Sequence, residues 1–217
     1  NGSGKTTLLN VCSGHLAPDS GAVVLEGRDV SSAPAHRRAA MGLARTFQRA
    51  VAFPALSWTQ SVMTGCAEAR PTPWGAMLGV GAHRRHERLA AQRAEQLLGA
   101  LGVGHLVGQP SHAATLAEAR VAELARALAL DPLVLMLDEP AAGLDLAETG
   151  VLGQVVAQAA RAGVAVLLVE HDVAFVTQLA DRVVVLDRGR LIFAGSPAEA
   201  LRHPEVAAAY FGSHAGV

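Results

Sequence analysis

The sequence has 217 residues, of which 51% are hydrophobic and 17% charged, and its net charge is -1. This composition excludes an intrinsically disordered chain, and the near-neutral charge gives no electrostatic basis for binding nucleic acid or an anionic membrane surface. Two cysteines are too few for a disulfide framework, and apolar runs such as residues 164–169 are far shorter than the roughly 20 residues of a membrane span. We expect one substantial core, or a core with a small subdomain.

The first seven residues match the end of a phosphate-binding loop, G-x-x-x-x-G-K-[ST], with Gly4, Lys5 and Thr6 in its last three positions. Glycines let backbone N–H groups turn toward an anion, Lys5 supplies a positive charge, and Thr6 offers a hydroxyl to Mg²⁺. A helix over residues 8–12 would face the phosphates with its N-terminus. The alternative is a flexible terminus, and this pattern alone does not separate the two. The loop's first glycine and the strand before it would precede residue 1, so we expect the sequence to be part of a longer chain.

The next elements along the chain are short, and the middle of the chain is helical. In the first part we predict a turn at 18–21, a strand at 22–25, a turn at 26–29, a helix at 32–41 capped by Ser32, and a strand at 43–47 that ends on Gln48. In the middle we predict helices within 58–102, an amphipathic one at 88–101 with Ala90, Ala94, Leu97 and Leu101 on one face, a linker at 102–110, and a helix at 115–130 with a capping box at 115–118.

After residue 130 the pattern alternates between strands and helices. We predict buried strands at 133–137 and 164–169, helices at 147–161 and 173–180, strands at 183–186 and 191–194 around a turn at 187–189, and a last helix that starts at Pro197. This alternation is typical of a parallel sheet in an α/β core. The helical middle of the chain would then be an insertion into that core.

Polar side chains follow the predicted buried strands. Asp138 and Glu139 come directly after the first, at the sheet edge where ligands bind in open α/β folds. Asp138 would hold Mg²⁺, and Glu139 would polarise the water that attacks the terminal phosphate. A strand that merely ends in a polar turn is the alternative. His171, after the second strand, is a structural or capping residue or else a sensor of the γ-phosphate. Gln48 is a candidate sensor of Mg²⁺ and the attacking water.

The ordered motifs resemble those of ABC transporter ATP-binding subunits. They are Gly-Lys-Thr-Thr at 4–7, Arg-Thr-Phe-Gln at 45–48, Leu-Met-Leu-Asp-Glu-Pro at 135–140, Ala-Gly-Leu-Asp at 142–145 and Glu-His-Asp at 170–172. The resemblance covers nearly the whole chain. The Arg-Thr-Phe-Gln segment, the Phe53-Pro54 loop, the long helical insertion and the ending Ala-Tyr-Phe-Gly make it most similar to the subunits of branched-chain amino acid importers.

The resemblance implies a P-loop NTPase (RecA-like) α/β core of residues 1–57 and 124–217, without its first strand, and an inserted helical subdomain of residues 58–123. It also implies roles for single residues. Gln48 would be the Q-loop glutamine, Asp138 the Walker B aspartate, Glu139 the general base and His171 the switch histidine. Asp145 would lie in the loop that crosses the dimer interface. The Walker A residues that would bind ATP are Asn1, Gly2, Ser3, Gly4, Lys5, Thr6 and Thr7.

One motif departs from the family. The signature Leu-Ser-Gly-Gly-Gln should lie at residues 114–118, where this chain has Ala-Thr-Leu-Ala-Glu. Signature glycines let the backbone approach the partner's γ-phosphate, whereas Ala117 adds a methyl group and Glu118 a negative charge. Thr115 keeps a hydroxyl where the family signature has serine, and Leu116 stands where the signature has its first glycine. We therefore expect this signature to support hydrolysis poorly.

The functional hypotheses are three. The first is an ATP-hydrolysing subunit that powers a solute importer, with ATP and Mg²⁺ as cofactors. The second is a nucleotide-binding regulatory partner with little hydrolysis, and the third is an ATPase of nucleic-acid repair or translation, for which no basic surface or second cassette is visible. The resemblance implies a second ATP-binding subunit, in a homodimer or a heterodimer, with permease subunits and indirectly a solute-binding protein. It places the chain at the cytoplasmic face of the inner membrane, and it leaves the transported solute open.

Overall fold

The computed structural model describes residues 2–46, 53, 55–66 and 80–212. The described part is a mixture of helices and short strands. Its α-helices, in chain order, are α1 (Lys5–Ser13), α2 (Ala35–Ala40), α3 (Trp58–Met63), α4 (Val80–Ala100), α5 (Leu116–Leu128), α6 (Leu146–Arg161), α7 (Val173–Leu179), α8 (Pro197–Ala200) and α9 (Pro204–Gly212). None of these helices combines the length and apolarity that crossing a bilayer requires.

The strands form three small sheets in the described residues. They are β1 (Val24–Leu25), β2 (Arg28–Asp29), β3 (Leu43–Arg45), β4 (Val134–Asp138), β5 (Ala165–Val169), β6 (Val183–Asp187) and β7 (Arg190–Gly195). Two sheets are antiparallel hairpins, β1–β2 and β6–β7. The third has the order β3–β4–β5, and β3 and β4 run parallel. The predicted α/β class with a parallel sheet is confirmed.

The chain divides into two compact units, one of residues 36–167 and the other of Asn1–Ala35 with Leu168–Val217. The core of the first is built on β4, whose residues 135–137 are almost completely buried, as predicted. Helices α3, α4 and α5 pack on one another, and α5 also packs on α6. In the second unit, α8 packs on the hairpin of β6 and β7, and α7 packs on α8.

Several predicted boundaries are wrong for local reasons. Residues 28–29 were expected to be part of a turn, but Glu26 and Gly27 have φ of 50° and 73° and form the whole turn, so 28–29 pair back on β1. Ser32 does not cap a helix, because α2 begins only after Pro34. The predicted linker at 102–110 contains a 3-10 turn, Gly104–Leu106, and Leu106 is buried.

Two predictions about burial are also wrong. On α4 the fully buried leucine is Leu98, with Ala90 and Ala94, whereas Leu97 is half-buried, and Leu101 is buried just after the helix ends. The strand β5 is not buried on both faces, since Leu167 is 38% exposed. Among the described strands, β5 pairs only with β4, whereas β4 pairs with a strand on each side. The end of the chain holds two helices, α8 and α9, rather than the one predicted from Pro197.

Candidate functional site

The glycine turn before α1 has the backbone that an anion-binding loop requires. Gly2 and Gly4 have φ of 86° and 91°, a region that other residues rarely adopt. Gly4 is the N-cap of α1 and brings no side chain to its first amide groups. Those N–H groups have no partners within the helix, so they are suited to an anion. Asn1, predicted to belong to this loop, lies outside the described residues.

The turn is held by the hairpin of β6 and β7. The N–H of Gly189, at the tip of the hairpin, donates to the carbonyl of Ser3 over 3.1 Å. A Cβ on Gly4 would lie 3.5 Å from the Cα of Gly189, which is ordinary contact, so it is the φ of Gly4 that requires glycine. The hairpin therefore supports the glycine turn from one side.

The polar side chains of the turn and of the start of α1 are half-buried or exposed. The ammonium of Lys5 donates to Oγ of Ser3 over 2.8 Å. Thr6 and Thr7 are exposed on the first turn of α1. A cation and two hydroxyls thus flank the unpaired amides, which is the arrangement that a polyphosphate needs.

A second group of predicted residues lies at the end of β4. Asp138 is 4% exposed, and Nη2 of Arg45 on β3 lies 3.1 Å from its Oδ2. Glu139 follows at once with φ of 47°, a conformation that costs a non-glycine residue about 1–3 kcal/mol. Strain of this kind persists where the surroundings enforce it, and here it turns the chain sharply at the end of the strand. Asp138 is therefore the last residue of the strand, and Glu139 lies in the turn that follows it.

The loop after Glu139 meets the N-terminus of α5. A Cβ on Gly143 would lie 3.2 Å from Cδ2 of Leu116. Two residues later Asp145 caps α6, accepting from the N–H of Glu148 over 2.8 Å, while Glu148 accepts from the N–H of Asp145. The structure thus brings the signature-like stretch beside the loop of Asp145. That Asp145 is a capping residue was not predicted, although Glu three residues later is the usual signal for it.

The signature-like stretch begins α5 with the predicted capping box. Oγ1 of Thr115 accepts from the N–H of Glu118, and the Glu118 carboxylate accepts from the N–H of Thr115 over 2.7 Å. Nε2 of His105 lies 2.7 Å from the other carboxylate oxygen. The backbone N–H of Thr115 lowers the pKa of Glu118 below its usual 4.5, the Thr115 hydroxyl and His105 act in the same direction, and burial opposes them. Glu118 is therefore turned onto its own helix, as the sequence indicated.

His171 lies in the other unit, after β5. Its side chain is 69% exposed, and its Nδ1 is 3.7 Å from a carboxylate oxygen of Glu170, whose side chain is 1% exposed. Asp172 caps α7 by accepting from the N–H groups of Ala174 and Phe175. The capping residue is therefore Asp172, and the imidazole of His171 lies at the surface. Gln48, the other predicted sensor, lies outside the described residues.

The predicted site residues thus form two described groups. Residues 2–7 and 171 belong to one compact unit, and residues 115–118, 138, 139 and 145 belong to the other. Of the three donors predicted for Mg²⁺, the Thr6 hydroxyl and the Asp138 carboxylate lie in the described residues and Gln48 does not, and oxygen ligands of these kinds fit that hard cation. The sequence did not predict two contacts of the site residues, that of Arg45 with Asp138 and that of His105 with Glu118. Nothing in the local sequence of His105 indicated its contact with Glu118.

The known proteins that this chain resembles are ATP-binding proteins of transport systems. A family model described as ABC transporter matches residues 1–142. The chain is 32% identical over 98% of its length to the high-affinity branched-chain amino acid transport ATP-binding protein BraF of Pseudomonas aeruginosa, of which it covers 84%. It is also 32% identical to LivG of Salmonella typhimurium, a protein of the same description, with the same coverage. The lipopolysaccharide export ATP-binding protein LptB of Acidithiobacillus ferridurans is 32% identical too, with 98% of this chain and 82% of that protein covered.

Solved structures agree with these relatives. An ATP-binding cassette of an ABC transporter in its ADP conformation superposes with a TM-score of 0.83 at 25% identity, covering 98% of this chain and 85% of the other. CbiO1 of Clostridium perfringens, described as part of the transporter complex CbiONQ, gives a TM-score of 0.78 at 28% identity, covering 95% and 78%. Both superpose on almost the whole of this chain.

Proposed function

The chain belongs to the ABC transporter family of ATP-binding subunits, and from that premise we propose that it hydrolyses ATP to power an importer of branched-chain amino acids or related small solutes. The observation that carries the solute class is the 32% identity, over 98% of this chain, to proteins named for branched-chain amino acid transport. Relatives of the family are ATPases coupled to transport, so the alternative of a regulatory partner with little hydrolysis is not favoured. An export ATP-binding protein is similar to the same degree, so the experiment has to distinguish between solute classes.

We assign ATP binding to the glycine turn. The N–H groups around Gly2 and Gly4 would cradle the phosphates, with Asn1 and Ser3 completing the loop, and Lys5 would leave Ser3 to bind the outer phosphates. Thr7 lies beside this path on the first turn of α1. The support is the left-handed backbone at both glycines together with the uncapped start of α1.

The chemical step is assigned to the end of β4. Thr6, Asp138 and Gln48 would hold Mg²⁺, which when bound neutralises charge on the phosphates. Glu139, which follows Asp138 with a strained backbone, would accept a proton from the attacking water. His171 would contact the γ-phosphate, a role consistent with its exposed imidazole.

The remaining sites face other subunits. We assign Thr115, Leu116, Ala117 and Glu118 to the surface that meets the ATP of a second ATP-binding subunit, and Asp145 to the loop beside it. Such a dimer, of identical or related chains, would bind permease subunits at the cytoplasmic face of the inner membrane and receive solute through a solute-binding protein. Residues 58–123 would form the helical subdomain and residues 1–57 and 124–217 the core of each cassette.

Reconstitution tests this proposal. The full-length protein, with the permease subunits and solute-binding protein that co-purify with it, is placed in proteoliposomes, and phosphate release is measured with leucine, isoleucine, valine or an unrelated solute. Stimulation by the branched-chain amino acids, lost in Glu139→Gln, is the expected result. ATPase activity stimulated only by another solute would overturn the solute class but keep the ATPase. No ATP-dependent activity in any reconstituted complex would overturn both.

A further inference from the structure

The carboxylate of Asp138 already has a cationic partner in this protein. Nη2 of Arg45 lies 3.1 Å from Oδ2 of Asp138, and the two side chains are 7% and 4% exposed. The distance is that of a direct charge-assisted hydrogen bond. A charge pair this far from water keeps a strong mutual attraction, so the orientation of each side chain depends on the other.

The parallel register explains why these two residues meet. Arg45 is the last residue of β3 and pairs with Met136 of β4. Side chains alternate along a strand, so Asp138, two residues beyond Met136, lies on the same face as Arg45. The long arginine side chain spans this diagonal. The N–H of Thr46 also donates to the carbonyl of Met136 over 3.0 Å, which fixes the end of β3 against β4.

We propose that Arg45 is a positioning residue that neutralises Asp138 until nucleotide and metal arrive together. This inference rests on the proposed metal role of Asp138. A guanidinium bonded to Oδ2 leaves Oδ1 as the oxygen that turns toward a metal. It also places a positive charge beside the place where the cation would bind, so a divalent ion alone is repelled. The phosphates of a nucleotide offset that repulsion, and metal binding thereby becomes dependent on nucleotide.

The test measures metal binding rather than turnover. Mn²⁺ is titrated into the full-length protein without nucleotide and with ADP, and free Mn²⁺ is counted by electron paramagnetic resonance. We expect Arg45→Gln, which removes the charge and keeps a hydrogen-bond donor, to bind Mn²⁺ alone roughly tenfold more tightly than the native protein. With ADP the gain should be smaller, because the phosphates already screen the arginine. Arg45→Lys, which keeps the charge, should resemble the native protein.

Two controls isolate the effect. Arg93 forms a more exposed ion pair with Asp131 elsewhere in the same unit, so Arg93→Gln should leave Mn²⁺ binding unchanged. Asp138→Asn should weaken Mn²⁺ binding in the presence of ADP. If it does not, the metal role that the proposed function gives to Asp138 fails, whatever Arg45 does.

The inference on Arg45 fails by itself if Asp138→Asn weakens Mn²⁺ binding while folded Arg45→Gln binds Mn²⁺ alone as the native protein does. Circular dichroism reports folding in each variant. Should Arg45→Gln not fold, thermal unfolding of the double variant Arg45→Gln/Asp138→Asn decides. Restoration of the fold by the second substitution would support an uncompensated Asp138 charge as the cause, and no restoration would overturn the pairing.

Discussion

The ammonium of Lys5 is hydrogen-bonded over 2.8 Å to Oγ of Ser3, two residues earlier in the same glycine turn. The bond holds the lysine side chain back over its own loop. An ammonium has three donors, so one bond to a neutral hydroxyl is a weak restraint that an anion would replace. The Lys5 ammonium is therefore available to bind phosphate. The Ser3 hydroxyl has a different role, which is to hold the ammonium over the loop before an anion binds.

Lys5→Ala should lower ATPase activity about 10²-fold or more, because it removes the positive charge that stabilises the negative charge developing on the phosphates in the transition state. Ser3→Ala should cost less than tenfold, since the hydroxyl only restrains the ammonium before nucleotide binds. Phosphate release and calorimetric ATP binding measure both. Equal losses in the two variants would contradict the assignment of Lys5 to the phosphates.

Glu139→Gln should reduce hydrolysis by about 10²–10⁴-fold, the usual contribution of a general base, while ATP affinity stays near that of the native protein. The amide is nearly isosteric, so the left-handed backbone of this residue is kept. Single-turnover hydrolysis and equilibrium binding are the measurements. Glu95→Gln, on the exposed face of α4, serves as the matched control and should have no effect on either. A variant that loses affinity but not rate would remove Glu139 from the chemical step.

The sequence predicted the α/β class and the buried strand β4, and the details it predicted correctly are local ones. The capping box of Thr115 and Glu118 depends only on residues three apart, and both reciprocal hydrogen bonds are present. The turn before Arg190 follows from two residues with positive φ, Arg188 and Gly189. Such signals need no knowledge of the rest of the fold, because the interacting groups are fixed by the helix or hairpin itself.

The features that were missed depend on residues far apart in the chain. Arg45 meets Asp138 across 93 positions, and only the register of β3 on β4 brings them together. Ala165 and Leu167 are exposed on one face of β5, and an apolar run cannot reveal which face of a strand is covered. Leu97 and Leu98 differ by one position, which is within the error of a helical periodicity.

Ala117→Gly with Glu118→Gln should raise the ATPase rate of the complete transporter severalfold. The glycine removes a methyl group from the stretch assigned to the partner's phosphate, and the glutamine removes a like charge. Phosphate release from proteoliposomes is the measurement. Ala119→Gly, one residue further into α5, is the matched control, and it should not raise the ATPase rate. An unchanged or lower rate in the double variant would mean that the native stretch is already competent.

Glu118→Gln should also flatten the dependence of stability on acid pH. The folded pKa of Glu118 is lowered from 4.5, so its ionised form stabilises the folded protein above the unfolded pKa, and this contribution is lost as pH falls through the lower, folded pKa. Glutamine still closes the capping box but does not titrate. Urea unfolding from pH 7 to pH 3 should give a difference between native and variant that shrinks below pH 4.5. A difference in the free energy of unfolding that grows as the pH falls would contradict a lowered pKa of Glu118 in the folded protein.

Gly65→Ala should destabilise the fold by about 2 kcal/mol or more, because the helices leave no room for a side chain there. A Cβ at this position would lie 2.2 Å from the carbonyl oxygen of Arg126 and 3.1 Å from Cβ of Ala129, so α3 and α5 would have to separate. The matched control is Gly150→Ala on α6, where a Cβ meets nothing within 4 Å. Alanine is the better helix former, so that variant should gain up to about 1 kcal/mol. Urea unfolding of both variants gives the comparison, and a Gly65→Ala protein as stable as Gly150→Ala would show that α3 and α5 do not approach so closely.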